Sequence, residues 1–247
     1  MNIIKGIELV HTGDVPAMSG VGSSSAFTVG LLHSLYALKG DFVTKRKLAL
    51  EAIDIEQNHI GESVGSQDQV AASFGGFNVI EFLKDGRIIV SPITISQERL
   101  KKLESSIVLF FTGLSRTASE IAETQILESK NKIKDLNLMK TMVDEAVDIL
   151  YSDYRNLDEF GELLNESWKI KRSLTNKISN EYIDEIYLRG LNAGATGGKL
   201  LGAGGGGFIA FYVNEKNKNN LIKQMSDLLN VPFHFDQMGS HIIHFSK

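Results

Sequence analysis

With 247 residues, a formal charge of −4, 43% hydrophobic and 8% aromatic residues, the chain has the composition of a soluble globular protein of one large or two smaller domains. Its 26 Lys and Arg against 30 Asp and Glu leave no basic excess for nucleic acid or an acidic membrane, and no apolar run approaches the ~20 residues of a span. The absence of cysteine removes disulfides, thiolate nucleophiles and Cys-held zinc. The opening residues lack the apolar stretch and cleavage site of a secretory signal, so a cytoplasmic location is expected.

Taken in chain order, residues 3–11 read as a strand carrying Ile3, Ile7 and Leu9. A loop over 12–22 leads into an Ala- and Leu-rich helix at 23–38. A second helix is expected over 44–59, with Thr44 as its N-cap. A polar loop at 61–68 and a short Ala-rich segment end at Gly75-Gly76, and strands at 77–82 and 87–90 flank a Lys84-Asp85-Gly86 turn. After the polar stretch 96–105, a strand at 107–111 opens a second half. Helices follow near 117–131, 135–152, 157–172 and 180–193. A glycine-rich loop at 199–207 feeds the strand 208–213, then a helix at 215–229 and strands at 233–236 and 241–245. Strands and helices mixed without strict alternation predict an α+β protein.

Three places along this order carry chemistry. In Ser19-Gly20-Val21-Gly22-Ser23-Ser24-Ser25-Ala26, a glycine loop runs straight into a helix. The first amides of a helix lack internal acceptors and sit at the positive end of its dipole, and glycines let a phosphate approach them. The serine hydroxyls can bond phosphate oxygens or ligate Mg²⁺. The loop is neither a Walker A motif nor a dinucleotide GxGxxG, and a plain helix start after a flexible loop is an equally good account. Next, Glu56 continues the face of Ala49, Ala52 and Ile53, so its carboxylate should point inward, where it needs a metal ion or an ion-pair partner. Asp68, in Gly65-Ser66-Gln67-Asp68-Gln69, is either functional or the N-cap of the next short helix. Finally, the four glycines Gly204 to Gly207 before so apolar a strand suggest close packing against another glycine-rich loop or a ligand. Arg116 can meet an anionic substrate, though a surface arginine is the plainer reading. The six histidines show no metal-binding spacing.

Together, in this order, the three segments resemble the GHMP small-molecule kinases. Pro16 through Ala26 looks like the family's P-x-x-x-G-L-G-S-S-A-A phosphate loop, with Val21 for Leu and Ser25 for the first Ala. The segment ending in Asp68-Gln69 resembles the galactokinase-like one, and Gly202 to Phe208 matches the third, C-terminal motif. Within the family, residues 19–32, 65–76, 111–116 and 197–207 are most like bacterial kinases of D-glycero-D-manno-heptose 7-phosphate.

The resemblance implies an incomplete ribosomal protein S5 domain 2-like N-terminal part over 1–105. A ferredoxin-like C-terminal part with added helices would occupy 106–247. It implies ATP and Mg²⁺ as cofactors and a sugar phosphate as substrate, phosphorylated at its anomeric hydroxyl. Pro16, Ser19, Gly20, Val21, Gly22, Ser23, Ser24 and Ser25 would cradle the ATP phosphates, and Ser24 and Glu56 would hold Mg²⁺. Asp68 would orient or deprotonate the acceptor, with Arg116, Gly204 and Gly205 at the substrate. Another sugar (galactose, fucose), a mevalonate-type acceptor or a non-catalytic binding relative are the alternatives. Neither nucleic acid nor membrane is an expected partner; a homodimer is compatible with the reading. Nothing in residues 1–13 matches the family's Arg-containing first motif, and strands missing there would leave a sheet edge or apolar face uncovered.

Overall fold

The computed structural model describes residues 6–15, 19–115 and 118–246. Its first half is a helical layer. Helix α1 (Ser23–Lys39) ends at Gly40, whose left-handed conformation lets its amide reach Ala37 while Asp41 N–H reaches Tyr36. Helix α2 (Lys45–Asp54) starts where the Thr44 hydroxyl accepts from Lys47 N–H at 3.2 Å, as expected. It does not run on as α-helix to residue 59. Residues Ile55–Ile60 widen into a π-helical turn that ends at Gly61. Helix α3 (Gln67–Phe74) completes the layer, and Val29, Leu48, Ala52 and Val70 are fully or almost fully buried in it. Strands β1 (Asn78–Phe82) and β2 (Ile88–Pro92) form the expected antiparallel hairpin.

Helix α4 (Gln97–Ser106) replaces the polar stretch of the sequence reading. Ser96 caps it by accepting from Arg99 N–H, and Leu103 is its buried anchor. So polar a segment shows little apolar periodicity, yet one cap and one well-placed leucine suffice to dock it.

The second half is built on one sheet. Strands β3 (Ile107–Phe111), β4 (Gly197–Leu200), β5 (Phe208–Tyr212) and β6 (Leu229–Val231) lie in the order β4-β5-β3-β6, every neighbouring pair antiparallel. Helices α5 (Ala118–Ser129), α6 (Ile133–Tyr151), α7 (Asp158–Ser173) and α8 (Glu181–Asn192) connect β3 to β4, and α9 (Glu215–Gln224) connects β5 to β6. This is the strand order and helix placement of a ferredoxin-like sheet with added helices, in an α+β protein. Its core joins Phe110, Ile209 and Phe211 to Trp168, Ile183 and Ile186. Strand β4 escaped sequence detection because it opens with two glycines. Helix α7 lies so close that a Cβ on Gly197 would stand 1.9 Å from the Gly161 carbonyl oxygen, so only glycine fits.

The two ends of the chain depart from expectation. Among the described residues of the predicted first strand, 6–11 form no strand, and Ile7, Leu9 and Val10 are exposed. No neighbouring strand pairs with this stretch among the described residues. Near the other end, α9 stops at Gln224 and β6 occupies Leu229–Val231, after which Pro232 has no amide to continue the ladder. The predicted strands 233–236 and 241–245 are instead an irregular tail laid over the first half. Asp236 carbonyl accepts from Gly76 N–H at 2.7 Å, Ser240 N–H donates to Ala72 carbonyl at 2.8 Å, and Lys45 Nζ bridges Phe74 and Met238 carbonyls. A helix long and apolar enough to cross a membrane is absent among the described residues.

Candidate active site

The N-terminus of α1 is the centre of the site. Gly22 occupies its N-cap position in a left-handed conformation, and no side chain caps the helix. The first intrahelical bond, Ala26 N–H to Gly22 carbonyl at 2.9 Å, leaves the amides of Ser23, Ser24 and Ser25 without a helical acceptor. These amides and the helix dipole form a positive end suited to an anion. Ser23 is partly buried, Ser24 and Val21 are exposed, and Ser25 is buried. Pro16 lies outside the described residues, as does Arg116.

Glu56 faces inward, as its place on the α2 face requires, and is only 1% exposed. It stands on the π-helical turn, and its Oε2 accepts from Ser25 Oγ at 2.9 Å and from Gln69 Nε2. Its Oε1 is buried with no partner among the described residues, and no ion pair holds this carboxylate there. A buried carboxylate oxygen left open beside a helix N-terminus fits a hard divalent cation such as Mg²⁺. Of the three serines, the hydroxyl in contact with Glu56 is therefore that of Ser25. Ser24 sits in the same first turn, one residue closer to solvent.

Removing the Glu56 side chain would strand the Ser25 and Gln69 donors around a new void. Glu56→Ala is expected to lose about 2–4 kcal/mol of stability in urea denaturation, and Glu56→Gln distinctly less.

Asp68 is the second residue of α3 and not its cap; Ser66 holds the cap position. Its carboxyl packs directly against Gly22, where a Cβ would lie 3.1 Å from Asp68 Cγ. Burial raises the Asp68 carboxyl above its ordinary value and the nearby Glu56 adds to this, while a Gln67 hydrogen bond and the Lys171 ammonium act in the opposite sense. A carboxylate so placed is a better proton acceptor than one in water.

The C-terminal glycine loop closes the site from the other half, glycine against glycine as its sequence suggested. A Cβ on Gly202 would stand 2.6 Å from Gly20 Cα, and one on Gly207 would stand 2.1 Å from the Ser19 carbonyl oxygen. That oxygen accepts from Phe208 N–H at 3.2 Å, so the phosphate-loop candidate is fastened to the start of β5. Gly204 packs on Ile178, and Gly205 spends its amide on the Ile178 carbonyl at 2.9 Å. Lys171 Nζ donates to the Gly202 carbonyl, and Gln125 Nε2 to the Ala203 carbonyl at 2.7 Å.

Three residues of this environment, Gln69, Lys171 and Lys199, carry no role in the sequence reading. Gln69 and Lys199 stand inside segments already marked; Ser25, expected at the ATP phosphates, also bonds Glu56. Lys171 carries no local signal at all: it is one of several charged residues on the amphipathic α7.

The same elements recur in known proteins. The family profile for the GHMP kinases N terminal domain matches residues 1–76, and that for the GHMP kinases C terminal region matches 139–231. The D-glycero-alpha-D-manno-heptose 7-phosphate kinase of Campylobacter jejuni is 35% identical over 221 residues, 87% of this chain and 64% of that protein. Galactokinase of Pyrococcus furiosus is 28% identical over 242 residues, 87% and 67% of the two chains. Among solved structures, a D-glycero-D-manno-heptose 1-phosphate kinase from Bacteriodes thetaiotaomicron superposes with a TM-score of 0.68 at 30% identity, covering 94% of this chain and 66% of that one. The Methanococcus jannaschii mevalonate kinase, at TM-score 0.69 and 22% identity, shares the fold. The chain thus spans less than two thirds of both heptose phosphate kinases.

Proposed function

We propose that this chain, which belongs to the GHMP kinase family, transfers the γ-phosphate of ATP to a hydroxyl of a sugar or sugar phosphate. The acceptor we favour is D-glycero-D-manno-heptose 7-phosphate, at its anomeric position. The observation that carries this reading is the convergence of three groups: the uncapped amides of α1, the open Oε1 of buried Glu56, and Asp68 lodged against Gly22. Phosphoryl transfer asks chiefly for positioning and charge neutralisation, which this set can supply.

In this reading the amides around residues 20–25 cradle the phosphates of ATP, and Ser24 and Glu56, the latter through Oε1, hold Mg²⁺. When bound, the ion would neutralise phosphate charge. Asp68 orients the acceptor hydroxyl and takes its proton as the new oxygen–phosphorus bond forms. The bond from the γ-phosphorus to the bridging oxygen breaks, and its electron pair leaves with ADP. Gly204 and Gly205 would shape the acceptor side through backbone, together with Arg116. The proposal also divides the chain into 1–105 and 106–247, consistent with the second sheet beginning at Ile107.

The choice of a heptose phosphate over other acceptors rests on the 35% and 30% identities to the two heptose phosphate kinases against 28% to the galactokinase. The test is ADP release by the purified chain with Mg-ATP, comparing heptose 7-phosphate, galactose, fucose and mevalonate. Turnover confined to the heptose phosphate is the expected result. Release with another acceptor alone would overturn the choice of sugar. ATP binding with no release for any acceptor would mark a binding relative and overturn the kinase reading.

A further inference from the structure

The second half contributes two amines to the junction that the reading above does not use. Lys171, in the last turn of α7, spends one of its three donors on the Gly202 carbonyl. Gly202 is the residue packed on Gly20 of the phosphate-loop candidate. Lys199 extends from β4, on which α7 packs, and has no ion-pair partner among the described residues; neither does Lys171. Both are partly buried. Two partly buried amines on packed elements, neither ion-paired among the described residues, gain by an anion that comes to them.

We propose that Lys171 and Lys199 form a phosphate-binding subsite that faces Asp68 across the junction of the two halves. The bound group is a phosphate monoester dianion or the terminal phosphate of a nucleotide, chemistry the two lysines would recognise alike. The electrostatics agree with the geometry. Burial, with Lys199 next, lowers Lys171 to about 7, and only Asp68 pulls it back up. Burial alone lowers Lys199. The titratable groups acting on Lys171 are thus Lys199 and Asp68, and Glu56 acts on Asp68 in turn. A dianion between the lysines would favour the charged form of both, so binding should weaken as pH rises through 7. The choice between the two phosphate sources rests on the kinase reading; the affinity for phosphate itself does not.

Equilibrium titration of the full chain with three probes tests this: inorganic phosphate, the Mg²⁺ complex of a non-hydrolysable ATP analogue, and heptose 7-phosphate. Lys171→Met and Lys199→Met are each expected to weaken inorganic phosphate about 10- to 100-fold, the worth of a charge-assisted hydrogen bond, and Lys171→Arg to restore most of it. Loss confined to the nucleotide analogue assigns the subsite to ATP, and loss confined to the sugar phosphate assigns it to the acceptor. Wild-type protein that binds inorganic phosphate but neither of the other probes would sink the kinase reading and leave the subsite standing. Unchanged phosphate affinity in folded Lys199→Met, a variant that leaves the Lys171–Gly202 bond in place, would overturn the proposal.

Discussion

Asp68→Asn is expected to reduce ADP release by about 10²- to 10⁴-fold, the usual worth of a positioned proton acceptor, with nucleotide affinity changed little. The same variant should be more stable than the wild type, and this second effect separates a working carboxylate from a structural one. Burial raises the Asp68 carboxyl in the folded protein. Folding therefore favours its protonated form, so the wild type is relatively most stable below the ordinary carboxylate range. It loses that advantage as pH rises through the raised value, above which it carries the penalty of a desolvated charge. Asparagine carries none, and a Tm higher by about 1–3 °C at pH 7, vanishing in acid, is the expected signature. In the wild type, turnover should fall on the acid side through the same raised value. Unaltered ADP release from Asp68→Asn would remove the proposed base, and a lower Tm at pH 7 would make the residue a structural one.

Gly207→Ala should be the most damaging single methyl in the glycine-rich loop, at about 3–4 kcal/mol. Its backbone has a φ of 98°, its amide donates to the Leu114 carbonyl at 2.7 Å, and its own carbonyl accepts from Thr112 N–H and Oγ1. A Cβ there would collide with the Ser19 carbonyl oxygen, and every route of relief breaks one of those bonds or shifts the phosphate-loop candidate. Gly86 offers the control: its φ is 83°, yet a Cβ would meet nothing within 4 Å. Gly86→Ala should therefore cost only the backbone term, about 1 kcal/mol. Urea denaturation of the two variants measures the difference. Equal losses would mean that the contact between residues 19 and 207 does not limit the fold.

The elements that sequence periodicity located well are those whose stability is local. Helix α1, the Thr44 cap, the hairpin around Lys84-Asp85-Gly86 and strand β5 each carry their signal within a dozen residues. The misses share the opposite property. Strand β4 is two glycines and two ordinary residues until α7 presses on it, and α4 is a polar string until Leu103 finds its buried place. The tail after Val231 has strand-like residues, but Pro232 interrupts the β6 ladder and the chain is tied instead to Ala72, Gly76 and Lys45, so it packs over the first half as an irregular chain.

The site divides along the same line. From sequence alone came the glycine loop before a helix, the inward face of Glu56 and the segment around Asp68, because helix starts and helix faces are written in spacings of three and four residues. Tertiary structure decided which groups meet. It set Ser25 and Gln69 on Glu56, left Oε1 open, pressed Asp68 against Gly22, and tied Lys171 to the Gly202 carbonyl. Those contacts join residues at least 13 positions apart, and no short-range pattern encodes them. The contact between the two halves exists because glycines at 20, 202 and 207 let two backbones approach more closely than any side chain would allow.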